Sequence, residues 1–473
     1  MPLKRRTTIS SLALTVAFAT LTGTAVSAAS PVERSTKTAA AHPAGPTITV
    51  WSEENKPDRL LATEKIIAGF TAATGIRVKL VGIAENQFSA LVTTAAAAGT
   101  LPDVIGALPV SDADTLAQEK ISDTSAASYV VDSLGRSSFS AKALQLATQD
   151  GQLVGVPSDS WAQLLVYRKD LFAKYNLPAP TTYSTIASDA AALKAHGYIG
   201  IVAATDANDS FTEQTFEYIA LANGCQLVNS AGTVTLGSNA CVQAFSFYKH
   251  LIASSSVAGN QTVHTTSEEY LAGKAGMVMW SSYILPLLAG QQQGSVPSCP
   301  QCKADPAYLA TNSGIVTSIS GGSHPATDYG QLVAWVISRY SHHIPAAEKF
   351  VKWMMDQGYA SWLGLDPPGS LPVRSKTSSG AVAPAWAALP IALGGSKPVS
   401  DFYSAPTVSN LLAGPSTMTE WGLPEGQGAL LGATLATEPI PAAVSGMING
   451  GLTPRQADRQ ATQAVTAIQA GLG

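Results

Sequence analysis

Charge is scarce in this chain. Asp, Glu, Lys and Arg make up 13% of the 473 residues, and 28 basic against 32 acidic residues give a net charge of −4 with the basic ones spread along the sequence. That leaves no electrostatic footprint for nucleic acid and excludes a polyanionic partner. Long apolar runs are missing beyond the first 28 residues. The best later stretch, Met277 to Leu288, is interrupted by Ser281, Ser282 and Pro286, so no bilayer span is expected after the amino-terminal segment. Reaction motifs are missing too. There is no Gly-x-Ser-x-Gly, His-Glu-x-x-His or Walker loop, and Gly426-Gln427-Gly428 fails as a dinucleotide fingerprint because Gly432 comes one residue late and no clear strand precedes it. The seven histidines show no metal spacing, and His342-His343, close to Pro345, reads as a polar turn. Neither a metal nor a cofactor is expected, and an enzyme is disfavoured.

Cysteine is sparse as well. Cys225, Cys241, Cys299 and Cys302 are an even number, and three pairings are open. Two disulfides are the default in an oxidising compartment, with Cys225–Cys241 and Cys299–Cys302 favoured. A zinc or redox role for Cys299-Pro300-Gln301-Cys302 is the sharper reading. It is disfavoured, since a single such pair stands without a thioredoxin-like context.

What the chain has begins with an export signal. Lys4, Arg5 and Arg6 precede an apolar run from Ile9 to Leu21, and Val26-Ser27-Ala28 has the small residues of a peptidase site, so residues 1–28 read as a signal peptide. Thr7-Thr8-Ile9 after the paired arginines makes a twin-arginine signal a weak reading beside the general secretory route. No cysteine lies near the cleavage site, so a lipoprotein is not expected. The protein is expected to be secreted, extracellular or associated with the cell envelope. Residues 29–46, rich in Ala, Thr and Pro, read as a flexible tether.

A βαβαβ unit follows. Ile48, Val50 and Trp51 form an apolar strand; Leu60, Ile67, Phe70 and Ala73 share a helical face ended by Gly75; Ile76, Val78 and Leu80 alternate with Arg77 and Lys79; a second helix carries Phe88, Leu91, Val92 and Ala95 to Gly99; and Val104 to Leu108 is a third strand. Short crossovers leave three parallel strands with their carboxyl ends on one edge, where open α/β sheets bind ligands. The loops at that edge, residues 52–55, 85–87 and 109–112, are therefore site candidates. Further along, residues 152–156 and 164–167 read as two strands flanking Pro157-Ser158-Asp159-Ser160-Trp161. Residues 331–338 read as an apolar strand, 346–355 as an amphipathic helix and 454–472 as a terminal helix. No repeat or interdomain linker appears, which suits two lobes that share the chain by crossing back and forth.

Several segments together resemble the family 1 extracellular solute-binding proteins of ABC importers, the group that includes maltose-binding protein. They are Val50-Trp51, Phe70-x-x-x-Thr74-Gly75-Ile76-x-Val78, Ala97-Ala98-Gly99-Thr100-Leu101-Pro102-Asp103-Val104-Ile105, Gly155-Val156-Pro157 and Tyr167-Arg168-Lys169-Asp170-Leu171-Phe172. Later matches are Phe211-Thr212 leading to Ala222-Asn223-Gly224, Gly273-Lys274-Ala275-Gly276-Met277 into Trp280, Ala346-Ala347-x-x-Phe350-Val351 and Leu371-Pro372-Val373. Their order and spacing carry the resemblance over essentially the whole mature chain. It implies an α/β fold of two lobes, of the type II periplasmic-binding-protein kind, with residues 47–157 and 326–376 in one lobe and 161–322 and 380–473 in the other. A monomer that holds a small solute, most simply a sugar or oligosaccharide, and passes it to the transmembrane subunits of an ABC permease is the implied function. One departure is the missing lipobox cysteine that many Gram-positive relatives carry.

Carried over by position, Glu53, Glu54, Asn55, Asn86, Gln87, Ser111 and Asp112 would line one wall. Asp159 and Trp161 would sit near the hinge, and Asn208, Asp209, Glu213, Trp280, Tyr283, Trp421 and Glu425 would form the far wall. Flat aromatic faces suit the C–H side of a sugar ring, and carboxylates and amides suit its hydroxyls. Packing competes with this for each residue: Trp51, Trp335, Trp353 and Trp362 read as core, while Trp161, Trp280 and Trp421 are balanced between ligand and core. Asp103, after Pro102, reads as a turn-fixing residue. A secreted glycoside hydrolase is the rival from another class, because paired carboxylates could do acid and base work. A peptide or polyamine receptor is the rival within the same class.

Overall fold

The computed structural model describes residues 45–292 and 296–472, the side chain of Asn86 excepted. The signal peptide and nearly all of the tether expected from the sequence lie outside the described residues. Among them, no helix is long and apolar enough to cross a membrane.

The βαβαβ unit forms as its pattern predicts. Strand β1 (Thr47–Ser52) buries Ile48 and Val50, and helix α1 (Pro57–Thr74) starts on Pro57, where the missing N–H has no intrahelical partner to lose. Gly75 at φ 73° ends it, donating its N–H to the Thr71 carbonyl. Strand β2 (Arg77–Gly82), helix α2 (Phe88–Ala98) and strand β3 (Val104–Pro109) complete the unit, and β1 runs parallel to both β2 and β3. Chain direction reverses straight from β3 into helix α3 (Val110–Gln118). Asp103 has the structural role read for it: Oδ2 accepts from Thr49 N at 2.7 Å and Oδ1 from Ser341 Oγ at 2.5 Å, tying β1 to the turn that follows residues 330–337.

One strand joins everything else. Where the sequence reads as strands at 152–156 and 164–167 flanking Pro157 to Trp161, there is a single strand, β4 (Val156–Arg168), buried along almost its whole length. Strands β5 (Met277–Ser281), β6 (Ser313–Val316), β7 (Gly330–Ile337) and β8 (Leu371–Pro372) all pair with it antiparallel. Its first half lies between β7 and β8, in the order β2-β1-β3-β7-β4-β8; its second half lies between β5 and β6. The strand therefore passes from one sheet region into another. Pro157 is accommodated beside a register shift, between Val333 and Ala334 of β7, where the ladder is already interrupted. Residues 199–203 join the sheet only through parallel bridges, Ile199 with Ala275 and Val202 with Val278.

Helices cover both regions. Helix α4 (Ser210–Ala222) is almost wholly buried, helix α5 (Val263–Leu271) leads into β5, and helix α6 (Ile344–Met354) lies on β7 and α1. Helix α7 (Gly428–Thr437) packs on α3, with Ala429 N donating to Asp114 Oδ2 at 2.8 Å, and helix α8 (Pro454–Leu472) closes the chain against residues 239–255. Residues 405–417 lie against the helix at 141–146 and against β8. The disulfides are Cys225–Cys241 and Cys299–Cys302.

Candidate binding groove

The carboxyl ends of β1, β2 and β3 open onto two adjoining cavities of about 560 Å³ each, which share Glu85, Pro109 and Gln331 in their walls. The first is lined by Glu53, Glu54 and Asn55 from the loop after β1, by Asp159 and Trp161 of β4, and by Trp280 and Tyr283 at the end of β5. The second is lined by Ser111 and Asp112 at the start of α3, and by Asn208 and Asp209 before α4. Eleven residues expected at a site thus meet in one groove, with loops of the parallel strands on one side and the ends of α4 and β5 on the other.

The aromatic members are held edgewise. Trp161 donates Nε1 to Gln331 Oε1 at 3.3 Å and packs against Tyr329 at 5.8 Å; Trp280 donates Nε1 to the Val263 carbonyl at 2.8 Å and packs against Phe211 at 5.7 Å. Both indoles are thereby fixed before any ligand arrives, so little rotamer entropy remains to be lost on binding. Tyr283 lies over Gly369, where any Cβ would collide with the ring.

Acidic groups dominate the polar lining. Arg59 on α1 donates to Glu54 Oε2 and to Asp366 Oδ2, 2.5 Å each, and so is committed to two carboxylates. Asp159 Oδ1 accepts from Ser158 Oγ at 2.6 Å and Trp362 Nε1 at 2.9 Å. Burial still pushes Asp159 up to about 6, because those hydrogen bonds only partly restore the solvation lost. Glu53 is pushed up to about 9, first by burial and then by Asp112, Glu85 and Glu54; Asp112 is pushed up to about 7 by burial and Glu85. Asp209 is bound in part to the backbone, since Oδ1 caps α4 at Phe211 N at 3.0 Å and Oδ2 accepts from Val263 N at 3.3 Å.

Four expected residues do not line the groove. Trp421 is fully enclosed, with Nε1 donating to the Cys225 carbonyl at 3.0 Å. Glu213 faces inward from α4 and is also fully enclosed. Glu425 is half-buried on a turn outside both cavities, and Gln87 is exposed and lines neither cavity. The side chain of Asn86 lies outside the described residues. Conversely, Lys56, Arg59, Glu85, His264, Ser267, Gln331, Trp362, Asp366 and Ser370 line the first cavity without having been singled out, apart from Glu85 as part of its loop. Trp362, read as core, is both: it packs against Trp335 with ring centroids 4.8 Å apart and the planes tilted by 53°, and it also lines the groove.

The profile of the family described as "Bacterial extracellular solute-binding protein" matches residues 54–360. The chain belongs to this family. YcjN of Escherichia coli K12, provisionally named an ABC transporter periplasmic-binding protein, is 30% identical over 325 residues, 67% of this chain and 70% of that protein. Among solved structures, maltose-bound MalE3 of T. maritima superposes with a TM-score of 0.69 at 19% identity, covering 90% of this chain and 100% of its own. A sugar transporter of Arthrobacter chlorophenolicus A6 with bound laminaribiose gives 0.67 at 16%, covering 89% and 99%. This solute-binding protein therefore has the two-lobed fold of the type II periplasmic-binding proteins. Its family binds solutes for ABC transporters rather than transforming them, which removes the glycoside-hydrolase reading.

Proposed function

We propose that this solute-binding protein captures a sugar or oligosaccharide in the groove and delivers it to the membrane subunits of an ABC permease. The observation that carries the reading is the pairing, in one cavity, of two edge-anchored indoles and a tyrosine with Glu53, Glu54, Asn55 and Asp159. Indole faces take the apolar side of a pyranose, and the acids and amide take its hydroxyls. Solved relatives named for bound maltose and laminaribiose support the same class.

In this reading, residues 47–157 with 326–376 form one lobe and 161–322 with most of 380–473 the other, with β4 as a shared hinge strand. Residues 405–437 bridge the two, lying against β8 and α3 of the first lobe and against α8 of the second. Closure about β4 would bring Trp280 and Tyr283 onto a ligand resting on the β1 and β3 loops. The test is isothermal titration of the purified mature protein with neutral mono-, di- and tetrasaccharides. At least one is expected to bind with micromolar affinity, about −8 kcal/mol, without being consumed. No heat from any sugar, with tight binding of a peptide or polyamine instead, overturns it.

A further inference from the structure

We infer that the inner half of the groove is a subsite for a protonated amine, so that the preferred ligand is an amino-substituted sugar or polyol rather than a neutral one; this rests on the sugar-class reading above.

The observation is a lopsided lining. Glu53 from the loop after β1, Glu85 from the turn after β2 and Asp112 from the first turn of α3 line the two adjoining cavities, and their charges oppose one another's ionisation. Among the described residues lining the second cavity, Glu85, Asp112, Asp209 and Glu438 carry the charge and no Lys or Arg is present. In the first cavity Arg59 is already shared between Glu54 and Asp366, and Lys56 is exposed at the rim. Two polar atoms point to a missing partner. Ser111, 1% exposed and lining the second cavity, has an Oγ with no hydrogen bond, and Glu53 Oε1 is buried and equally unpartnered.

A sugar hydroxyl can satisfy one of these acceptors but brings no positive charge, so Glu53 stays protonated against its acidic neighbours. An ammonium group carries three donors and a positive charge, and so answers both needs. A metal ion is the other cationic candidate. Among the described residues, no three acidic, His or Cys side chains are gathered closely enough to hold one, whereas a charge at the end of a carbon frame does not need that spacing. The neighbouring Trp161, Trp280 and Tyr283 supply flat faces for that frame.

Proton linkage gives an independent readout. Burial and the facing groups Asp112, Glu85 and Glu54 keep Glu53 protonated near neutrality in the empty protein. An arriving ammonium lowers its pKa and expels the proton, whereas a neutral ligand does not.

The experiment titrates the full mature protein at pH 6.5 with matched pairs: glucose and glucosamine, cellobiose and its diamino analogue, sorbitol and glucamine. The aminated member is expected to bind at least tenfold tighter, with proton release seen as a heat that differs between buffers of unlike ionisation enthalpy. In Glu53→Gln and Asp112→Asn, each checked for folding by thermal melting, the ratio of aminated to neutral affinity is expected to fall towards one. A neutral member that binds as tightly as its partner, or a preference that survives both variants, overturns the inference while leaving the sugar reading intact. Silence from every member of every pair overturns both.

Discussion

Trp421 and Trp280 both stand beside polar residues in sequence, yet only one faces the groove. Trp421 donates to the Cys225 carbonyl and meets Phe216 edge-on at 6.3 Å, and its acidic neighbour Glu420 is itself only 1% exposed. Polar flanks ordinarily mark a solvated loop, but here they are pulled inside. The Trp421 N–H donates to a Glu217 carboxylate, and Gln331 Nε2 donates to Glu420 Oε1 at 3.1 Å. Trp421→Ala should therefore cost about 3–5 kcal/mol of stability, the usual range for emptying a buried aromatic site, as read from urea denaturation. Trp280→Ala should weaken sugar binding at least tenfold by titration calorimetry. An unchanged affinity there would remove Trp280 from the ligand's path.

At the level of elements, the sheet couples the groove to the core through one glycine. A Cβ at Gly106 of β3 would fall 2.0 Å from the ring of Trp335, which in turn packs against the groove-lining Trp362. Gly106→Ala should cost at least about 1–3 kcal/mol as an overpacked core and lower ligand affinity as Trp362 is displaced. Adding Trp335→Leu should restore part of both losses, and independent, additive effects in that double-variant cycle would refute the coupling. The β1–α1–β2–α2–β3 run was legible because each element has its own period and each helix a glycine stop, and the rule for open sheets then located the three loops of one wall. The continuity of strand β4 was not legible, since Ser158, Asp159, Ser160 and Gln163 break the apolar pattern between its two ends until two sheet regions enclose them. The same holds for Arg59, Gln331 and Asp366: each reads locally as a surface or strand residue, and only long-range packing brings them to Asp159 and Trp161.

Over the whole molecule, burial of carboxyl groups sets how stability answers to pH. Glu53 is pushed up to about 9, Glu213 and Glu420 to about 8, Asp112 to about 7, and Asp159 and Asp366 to about 6, in each case first by burial. Once unfolded, these groups return to the ordinary carboxyl range near 4. Between about pH 4.5 and pH 8 the folded protein thus holds protons that the unfolded chain has released, so stability must fall as pH rises through that window. Asp170, held below its ordinary value by Arg168, works the other way, but only below pH 4 and as a single group. Each raised group contributes only below its own folded value, so the unliganded protein should lose stability steadily between pH 5 and pH 8 in urea titrations. A flat or rising profile would contradict the burial of these acids. Glu213→Gln tests the origin directly: Glu213 is fully enclosed and faces Glu420 and Glu438, so a neutral side chain of the same shape should flatten the slope between pH 6 and pH 8. A substitution that left the slope unchanged would place its source elsewhere, in Glu53, Asp112 and the groove itself, where saturating ligand should then abolish it.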